Sequence, residues 1–303
     1  NNMLSGILAG EEDVQLTIKL LETEFIGGPE LKSIIGNRPV IELSIFAEGK
    51  KIEWDNPNAS VLVSIPYTPS EDELENTGFI NVLYIDDEGR AYTVPNGRYN
   101  NSSGMVTFDT THFSRYAVVY SHKQLVDLEM CGWAKLPAEV LVSKGIMDEV
   151  SEGKFNPMES ITRAEFVAGL VKSLGLSAGI DSNFIDVNET DPYYKEIGIA
   201  KALGVTVGIG GNKFGPDITI SRQDMMVMMA KALAHKGLIT SMGDMSDLDK
   251  FSDKDQISDY AVICAATLVK NGYIYGEGSR INPKGNLTRA SAASALYNII
   301  KGK

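Results

Sequence analysis

The chain has 303 residues, 43% hydrophobic and 22% charged, which is enough apolar mass for two folded domains and too much for wholesale disorder. Its net charge of −12 is uneven, with 9 Lys/Arg against 18 Asp/Glu in residues 1–124 and 19 against 22 in the rest. So acidic a balance excludes non-specific nucleic-acid binding, which needs a basic field, while leaving the second half able to accept an anionic ligand locally.

No apolar run is long enough to span a membrane, and no charged-then-apolar leader opens the chain. The opening Asn1-Asn2-Met3 reads as the interior of a longer protein. Residues 1–121 alternate like strands. Val14 to Ile18, Val40 to Ile45 and Val61 to Ile65 are β-branched runs of period near two. Asn81 to Ile85 and Ala91 to Val94 flank the polar turn Asp86-Asp87-Glu88-Gly89-Arg90 and predict a hairpin. Met105 to Asp109 and Tyr116 to Tyr120 close the domain, and short strands with regular turn signals favour an all-β sandwich. Glu71, Asp72, Glu73 and Glu75 read as a solvated charge run, and His112 as a strand-end residue.

After Ser121 the period becomes helical and the sequence repeats. An aromatic-or-Ile/x/Pro turn followed by a Ser/Thr-Arg pair occurs three times: Phe155-Asn156-Pro157 with Thr162-Arg163-Ala164-Glu165, Phe214-Gly215-Pro216 with Ser221-Arg222-Gln223-Asp224, and Ile281-Asn282-Pro283 with Thr288-Arg289-Ala290-Ser291. Upstream, Gly145, Gly204 and Gly272 close an earlier helix in each copy. Twelve residues before them lie Trp133, Pro192 and Tyr260, and further back Asp127, Asp186 and Asp253, each in a short apolar stretch. The spacing between the arginines grows from 59 to 67 residues, and the excess, Lys236 to Asp249, reads as a linker insertion. Four, eight and twelve residues after each Ser/Thr stand Phe166, Leu170 and Leu174; Met225, Met229 and Leu233; Ala292, Leu296 and Ile300. One apolar stripe per helix predicts a three-helix core, filled in part by Met225, Met226, Met228 and Met229. Cys131 and Cys264 are too few for a disulfide framework or a zinc site and read as small buried residues.

Thr162 and Glu165 have the form of a capping box, which Ser221 and Asp224 repeat more weakly and Ser291 lacks. Capping accounts for the Ser/Thr and the acid and leaves the arginine unexplained. A cation in a first turn opposes the helix dipole, so its recurrence has two readings. Either each arginine pairs with an acid of a neighbouring copy, such as Asp127, Asp186 or Asp253, or arginine and free first-turn amides together hold a carboxylate or phosphate. Gly208-Ile209-Gly210-Gly211 and Gly276-Glu277-Gly278 would let a ligand approach the backbone, where copy one has Glu149-Val150-Ser151-Glu152-Gly153. Trp133 and Tyr260 offer flat faces for sugar stacking, and Pro192 offers none.

Together these elements resemble the S-layer homology (SLH) family over residues 122–303, and Ile161 to Glu165 is that family's helix-start motif in full. The resemblance implies an all-α pseudo-threefold trimer of modules, a three-pronged spindle around a central three-helix bundle, with repeats at 122–178, 179–245 and 246–303. It implies a non-enzymatic, monomeric wall anchor, exported to the cell surface, whose partner is a pyruvylated secondary cell-wall polysaccharide held in grooves between modules. It also implies the site: Arg163, Arg222 and Arg289 on the ketal carboxylate, with Asp127, Asp186, Asp253, Trp133, Tyr260, Gly210 and Gly276 lining the grooves, and no cofactor or metal. Residues Thr111 to Val119 are similar to the closing strand of β domains that precede SLH modules in clostridial-type surface proteins.

Two other readings are a wall-glycan-acting enzyme fragment and a protein-binding adhesin or scaffold module. The first needs a carboxylate pair across a cleft, for which the acidic N-terminal domain offers candidates such as Glu71, Asp72, Glu73 and Glu75. His122 and His235 have no nucleophile at a recognisable spacing, and Asp247-Leu248-Asp249 and Asp253-Lys254-Asp255 lack the Gly and Glu of a calcium loop.

Overall fold

The computed structural model describes residues 14–22 and 27–301, so Asn1-Asn2-Met3 lies outside the described residues. The chain forms two compact units, Asn1–Lys123 with Ser143–Gly145, and Gln124–Val142 with Ile146–Lys303.

The first unit contains β1 (Val14–Leu21), α1 (Pro29–Ile35), β2 (Val40–Ala47), β3 (Lys50–Ile52), β4 (Val61–Pro66), α2 (Glu71–Glu75), β5 (Ile80–Ile85), β6 (Ala91–Thr93), β7 (Arg98–Asn100), β8 (Met105–Thr110) and β9 (Arg115–Tyr120). Its larger sheet runs β1-β2-β9-β5-β6, with β3 on β2, and its smaller sheet runs β4-β8-β7. Because side chains alternate, Ile41, Leu43, Val82 and Val118 of the larger sheet meet Val63, Ile65, Val106 and Phe108 of the smaller in one buried core. The predicted hairpin forms as β5–β6, with Gly89 at φ 80° supplying the left-handed turn residue.

Two helices were not anticipated. In α1, Leu31 and Ile35 cover an apolar patch of Val40, Ile85, Ala117 and Val119. In α2, Glu71, Asp72 and Glu75 are exposed as the charge run predicts, and the expectation is corrected at Glu73, which is buried, completes a capping box with Ser70, and accepts hydrogen bonds from Arg38 and the Tyr67 hydroxyl. Three donors on one carboxylate, from Arg38, Tyr67 and the Ser70 amide, replace the water it leaves. Also in this unit, the buried Lys144 Nζ donates to Ile80 O (2.9 Å), Asn81 Oδ1 (3.0 Å) and Gly97 O (2.8 Å).

The second unit contains α3 (Gly132–Ser143), α4 (Arg163–Leu174), α5 (Tyr194–Ala202), α6 (Arg222–His235), α7 (Asp259–Lys270) and α8 (Arg289–Ile300), two helices for each sequence repeat. The apolar stripes of α4, α6 and α8 are buried, the four methionines included. Gly169 of α4 admits Leu296 of α8 so closely that a Cβ there would lie 2.7 Å from its Cδ1. Gly145, Gly204 and Gly272 close α3, α5 and α7 at φ 65°, 68° and 68°, where a β-carbon would be strained.

The three repeats are linked in a ring. Arg163 N and Ala164 N donate to Ile218 O and Pro216 O of repeat 2, Arg222 N and Gln223 N to Gly285 O and Pro283 O of repeat 3, and Arg289 N and Ala290 N to Glu159 O and Pro157 O of repeat 1. Each helix start is thereby capped by the next repeat's turn. The segment read as a linker, Lys236 to Asp249, is built into the unit. Thr240 N donates to Asn271 Oδ1, Gly243 N to Thr267 Oγ1, and a Cβ on Gly243 would fall 2.2 Å from the Ala266 carbonyl carbon.

Candidate functional site

The aspartates shape the turns. Asp127 accepts hydrogen bonds from the amides of Phe155 and Asn156, Asp186 from Phe214 and Gly215, and Asp253 from Ile281 and Asn282, all at 2.7–3.0 Å. These bonds stabilise a left-handed residue in each turn, Asn156 (φ 52°), Gly215 (φ 70°) and Asn282 (φ 51°). Burial alone would raise the Asp186 and Asp253 carboxyls, and the turn amides outweigh it and hold both below the usual carboxylate range. Among the described residues none of the three aspartates accepts a hydrogen bond from a repeat arginine, so the reading that an acid of a neighbouring copy pairs with the arginine holds at Arg289, through Glu165, and is corrected for Asp127, Asp186 and Asp253.

Each arginine instead reaches the repeats after its own. The Arg163 Nε donates to Phe214 O at 3.0 Å, with its guanidinium 5.0 Å from the Phe214 ring centre. The Arg289 Nε donates to Phe155 O at 2.7 Å, its Nη2 to Asp148 O at 2.6 Å and its Nη1 to Glu165 Oε1 at 2.8 Å, above the Phe155 ring at 4.7 Å. Arg222 differs. Its Nη2 donates to Tyr275 O at 2.8 Å, while its Nε is buried and finds no acceptor among the described residues. Repeat 3 carries Ile281 where the others have Phe, and among the described residues no ring stacks on this guanidinium as Phe214 and Phe155 do on the other two. Burial pulls both Arg163 and Arg222 below the usual guanidinium range.

The first-turn amides are not free, contrary to the anion-site expectation. Those of the arginine and the next residue are taken by the ring of carbonyls, and the third amide in each helix by the Ser/Thr hydroxyl. Any anion held here is therefore held by side chains.

Aromatic residues come from the remaining repeat. Tyr260 donates to Asp224 Oδ1 at 2.8 Å and accepts from Gln223 Nε2 at 2.6 Å; burial, then Asp224, push its hydroxyl up to about 12. Trp133 stands on the rim at 61% exposure. Repeat 2 does supply a ring at this place, which alignment on Pro192 missed. Tyr193, in a left-handed conformation (φ 65°), donates its hydroxyl to Asp148 Oδ2 of repeat 1 at 2.8 Å. Glycine roles also shift. A Cβ on Gly276 would lie 2.3 Å from Phe251 and one on Gly208 2.8 Å from Phe184, so close packing on a ring requires both. Gly210 (φ 101°) lies in open space at a turn bridging to Lys213.

Beside Arg222 the surface opens into a cavity of about 710 Å³, of the size that takes small ligands. Trp133, Gly276, Glu277, Ser291 and Asn298 are among its lining, and Gly210 is not. A flat exposed ring, a guanidinium with an unfilled donor, and amide and hydroxyl groups together suit an anionic sugar. Among the described residues, no three His, Cys, Asp or Glu side chains are placed to hold a metal ion, and both cysteines are free.

Comparison with known proteins finds one family model in three stretches of the chain. A model described as S-layer homology domain matches residues 126–167, 183–226 and 250–293. An amylopullulanase of Thermoanaerobacterium thermosulfurigenes is 29% identical over 277 residues, 91% of this chain and 14% of the relative, so the likeness extends into the β unit. Exoglucanase XynX of Acetivibrio thermocellus is 33% identical over 171 residues, 56% of this chain and 16% of the relative. The surface-layer 125 kDa protein of Lysinibacillus sphaericus is 31% identical over 188 residues, 60% of this chain and 15% of the relative. The chain thus spans only 14–16% of the length of these relatives. Among the described residues, no helix is long and apolar enough to cross a membrane.

Proposed function

Because the chain carries three tandem S-layer homology domains, modules that occur in exported surface proteins and anchor them to the cell wall, we propose that it fastens a longer polypeptide non-covalently to wall polysaccharide. Its three modules, at 122–178, 179–245 and 246–303, stand as a pseudo-threefold spindle around a bundle of α4, α6 and α8. The grooves between them take the sugar, and the anionic group they read is a pyruvate ketal on a secondary wall polysaccharide. Arg163, Arg222 and Arg289 mark the three stations. Tyr260, Trp133 and Gly276 line them, and Asp127, Asp186 and Asp253 act by holding the turns on which the stations rest.

The observation that carries this reading is the cavity lined by both Arg222, whose buried Nε has no protein acceptor, and the solvent-exposed indole of Trp133. A buried, unsatisfied N–H is costly to leave unmade, and a ligand carboxylate is the group that would complete it. The chain acts as a monomer without catalysis of its own, the β unit serving as spacer. Whatever activity the whole protein has, as its relatives' names suggest, lies in sequence beyond the shared segment.

Co-sedimentation tests the proposal. The purified chain is expected to pellet with sacculi that retain their polysaccharide, and to stay in solution with sacculi stripped of it or lacking its pyruvate groups. Equal pelleting with stripped sacculi would refute it, and release of sugar from the sacculi would favour the enzyme reading.

A further inference from the structure

The three stations follow one rule. Each arginine belongs to one module, the residue three after the Ser/Thr cap comes from the next module, and the aromatic comes from the one after that. Around Arg163 these are Asp224 and Tyr260, around Arg222 they are Ser291 and Trp133, and around Arg289 they are Glu165 and Tyr193.

Two of the three stations are filled from within. At Arg289, Glu165 Oε1 sits 2.8 Å from Nη1, Nε and Nη2 are taken by carbonyls, and Tyr193 crosses to Asp148 at 2.8 Å. At Arg163, Asp224 supplies the facing negative charge and is itself tied to the Tyr260 hydroxyl at 2.8 Å, with Gln223 holding the same hydroxyl at 2.6 Å. An incoming carboxylate would have to displace Glu165 at Arg289, and at Arg163 it would meet the charge of Asp224 and the tyrosine strap that Asp224 and Gln223 hold.

At Arg222 the same position is Ser291, and the residue before it, equivalent to Gln223, is Ala290. Trp133 has neither a phenol nor an acid to fasten to. Among the described residues Arg222 pairs with no carboxylate, its Nε has no acceptor, and the space that Glu165 and Asp224 occupy elsewhere belongs to the cavity. The nearest acids leave it open. Asp253 is engaged by two turn amides and lies 3.6 Å from Arg280, and Glu277 lies in the lining.

We propose that the Arg222 station alone binds the anionic sugar, that Ser291 is the residue that keeps it open, and that Arg163 and Arg289 are structural cations closed by their neighbours' acids. This narrows the wall-anchoring reading and rests on it. One ligand per chain follows.

The test uses the full chain and a methyl hexopyranoside carrying a 4,6-linked pyruvate ketal, titrated calorimetrically. The wild type is expected to bind one equivalent. Ser291→Glu, which copies the Glu165 arrangement, and Arg222→Ala are each expected to weaken binding roughly tenfold or more while keeping the wild-type circular dichroism spectrum. If Ser291→Glu fails to fold, Ser291→Asp places there the acid that module 2 tolerates, with the same loss expected. Two or three equivalents for the wild type, or unchanged affinity in a folded Ser291 acid variant, overturns the single-station inference and leaves sacculus binding intact. Failure of the wild type both to bind this sugar and to pellet with polysaccharide-bearing sacculi overturns both readings.

Discussion

Replacing Arg289 with alanine separates a structural cation from a ligand-binding one. The change removes three hydrogen bonds from a charged donor, to Phe155 O, Asp148 O and Glu165, and strands the Phe155 carbonyl in a place where the residue is fully buried. Bonds to charged groups contribute about 1.5–3 kcal/mol each, but the partly exposed Glu165 is discounted for screening and the three are not additive, so the loss is about 3–5 kcal/mol. Arg222→Ala deletes one hydrogen bond and also removes a buried N–H that lacks an acceptor, so it costs about 1 kcal/mol or less. Urea unfolding followed at 222 nm reports mainly the helical unit. With slopes of about 1–3 kcal/mol per molar, the Arg289→Ala midpoint falls by about 1–5 M and that of Arg222→Ala by about a third as much or less. Equal midpoint shifts for the two variants would refute the assignment of different roles.

In the β unit, burial and then Arg98 pull the Lys144 ammonium down to about 7 from the ordinary 10.5. The unfolded chain therefore binds more protons between about pH 7 and 10.5, stability rises with pH across that window, and Lys144→Met flattens the rise in pH-dependent melting. Burial would raise the Glu73 carboxyl, but Tyr67, Ser70 and Arg38 together hold it below its ordinary value. Its contribution is accordingly full above the unfolded pKa and lost as pH falls through the folded one; Glu73→Gln should cost about 2–3 kcal/mol at pH 7 and blunt the acid side of the stability curve. Gly276→Ala places a Cβ 2.3 Å from Phe251 and 2.6 Å from Arg280 O, and should destabilise by about 1–3 kcal/mol in denaturant titration. Gly278→Ala meets open space and should register only the milder strain of its φ of 60°.

Period carried much of the fold. Two-residue alternation marked β2, β4, β5 and β9, and the four-residue spacing of Phe166, Leu170 and Leu174 marked the buried stripe of α4. Short helices such as α2 were hidden because their charges satisfy one another in space, Glu73 finding Arg38 across 35 residues. At the site, residue types were legible and their partners were not. Spacing within one copy relates Arg289 to Ser291, whereas ring closure brings it to Glu165, 124 residues away. Tyr193 was missed for a local reason: a left-handed backbone moves the ring one residue past the place where alignment on the glycines looks for it.

The ring of helix-start bonds also sets when the helical unit can fold. In an open stack of repeats each added unit rests on the one before, so folding can follow the emerging chain and end repeats can be trimmed. Here the carbonyls of Pro157 and Glu159 wait for the amides of Ala290 and Arg289, and the side chain of Arg289 reaches back 134 residues to Phe155. The first repeat's contacts are incomplete until the third has been delivered, so the unit is expected to lock in one late step, a prediction that refolding of chains truncated before Thr288 checks. Deleting any single repeat opens two unpaired faces rather than shortening the unit by a third.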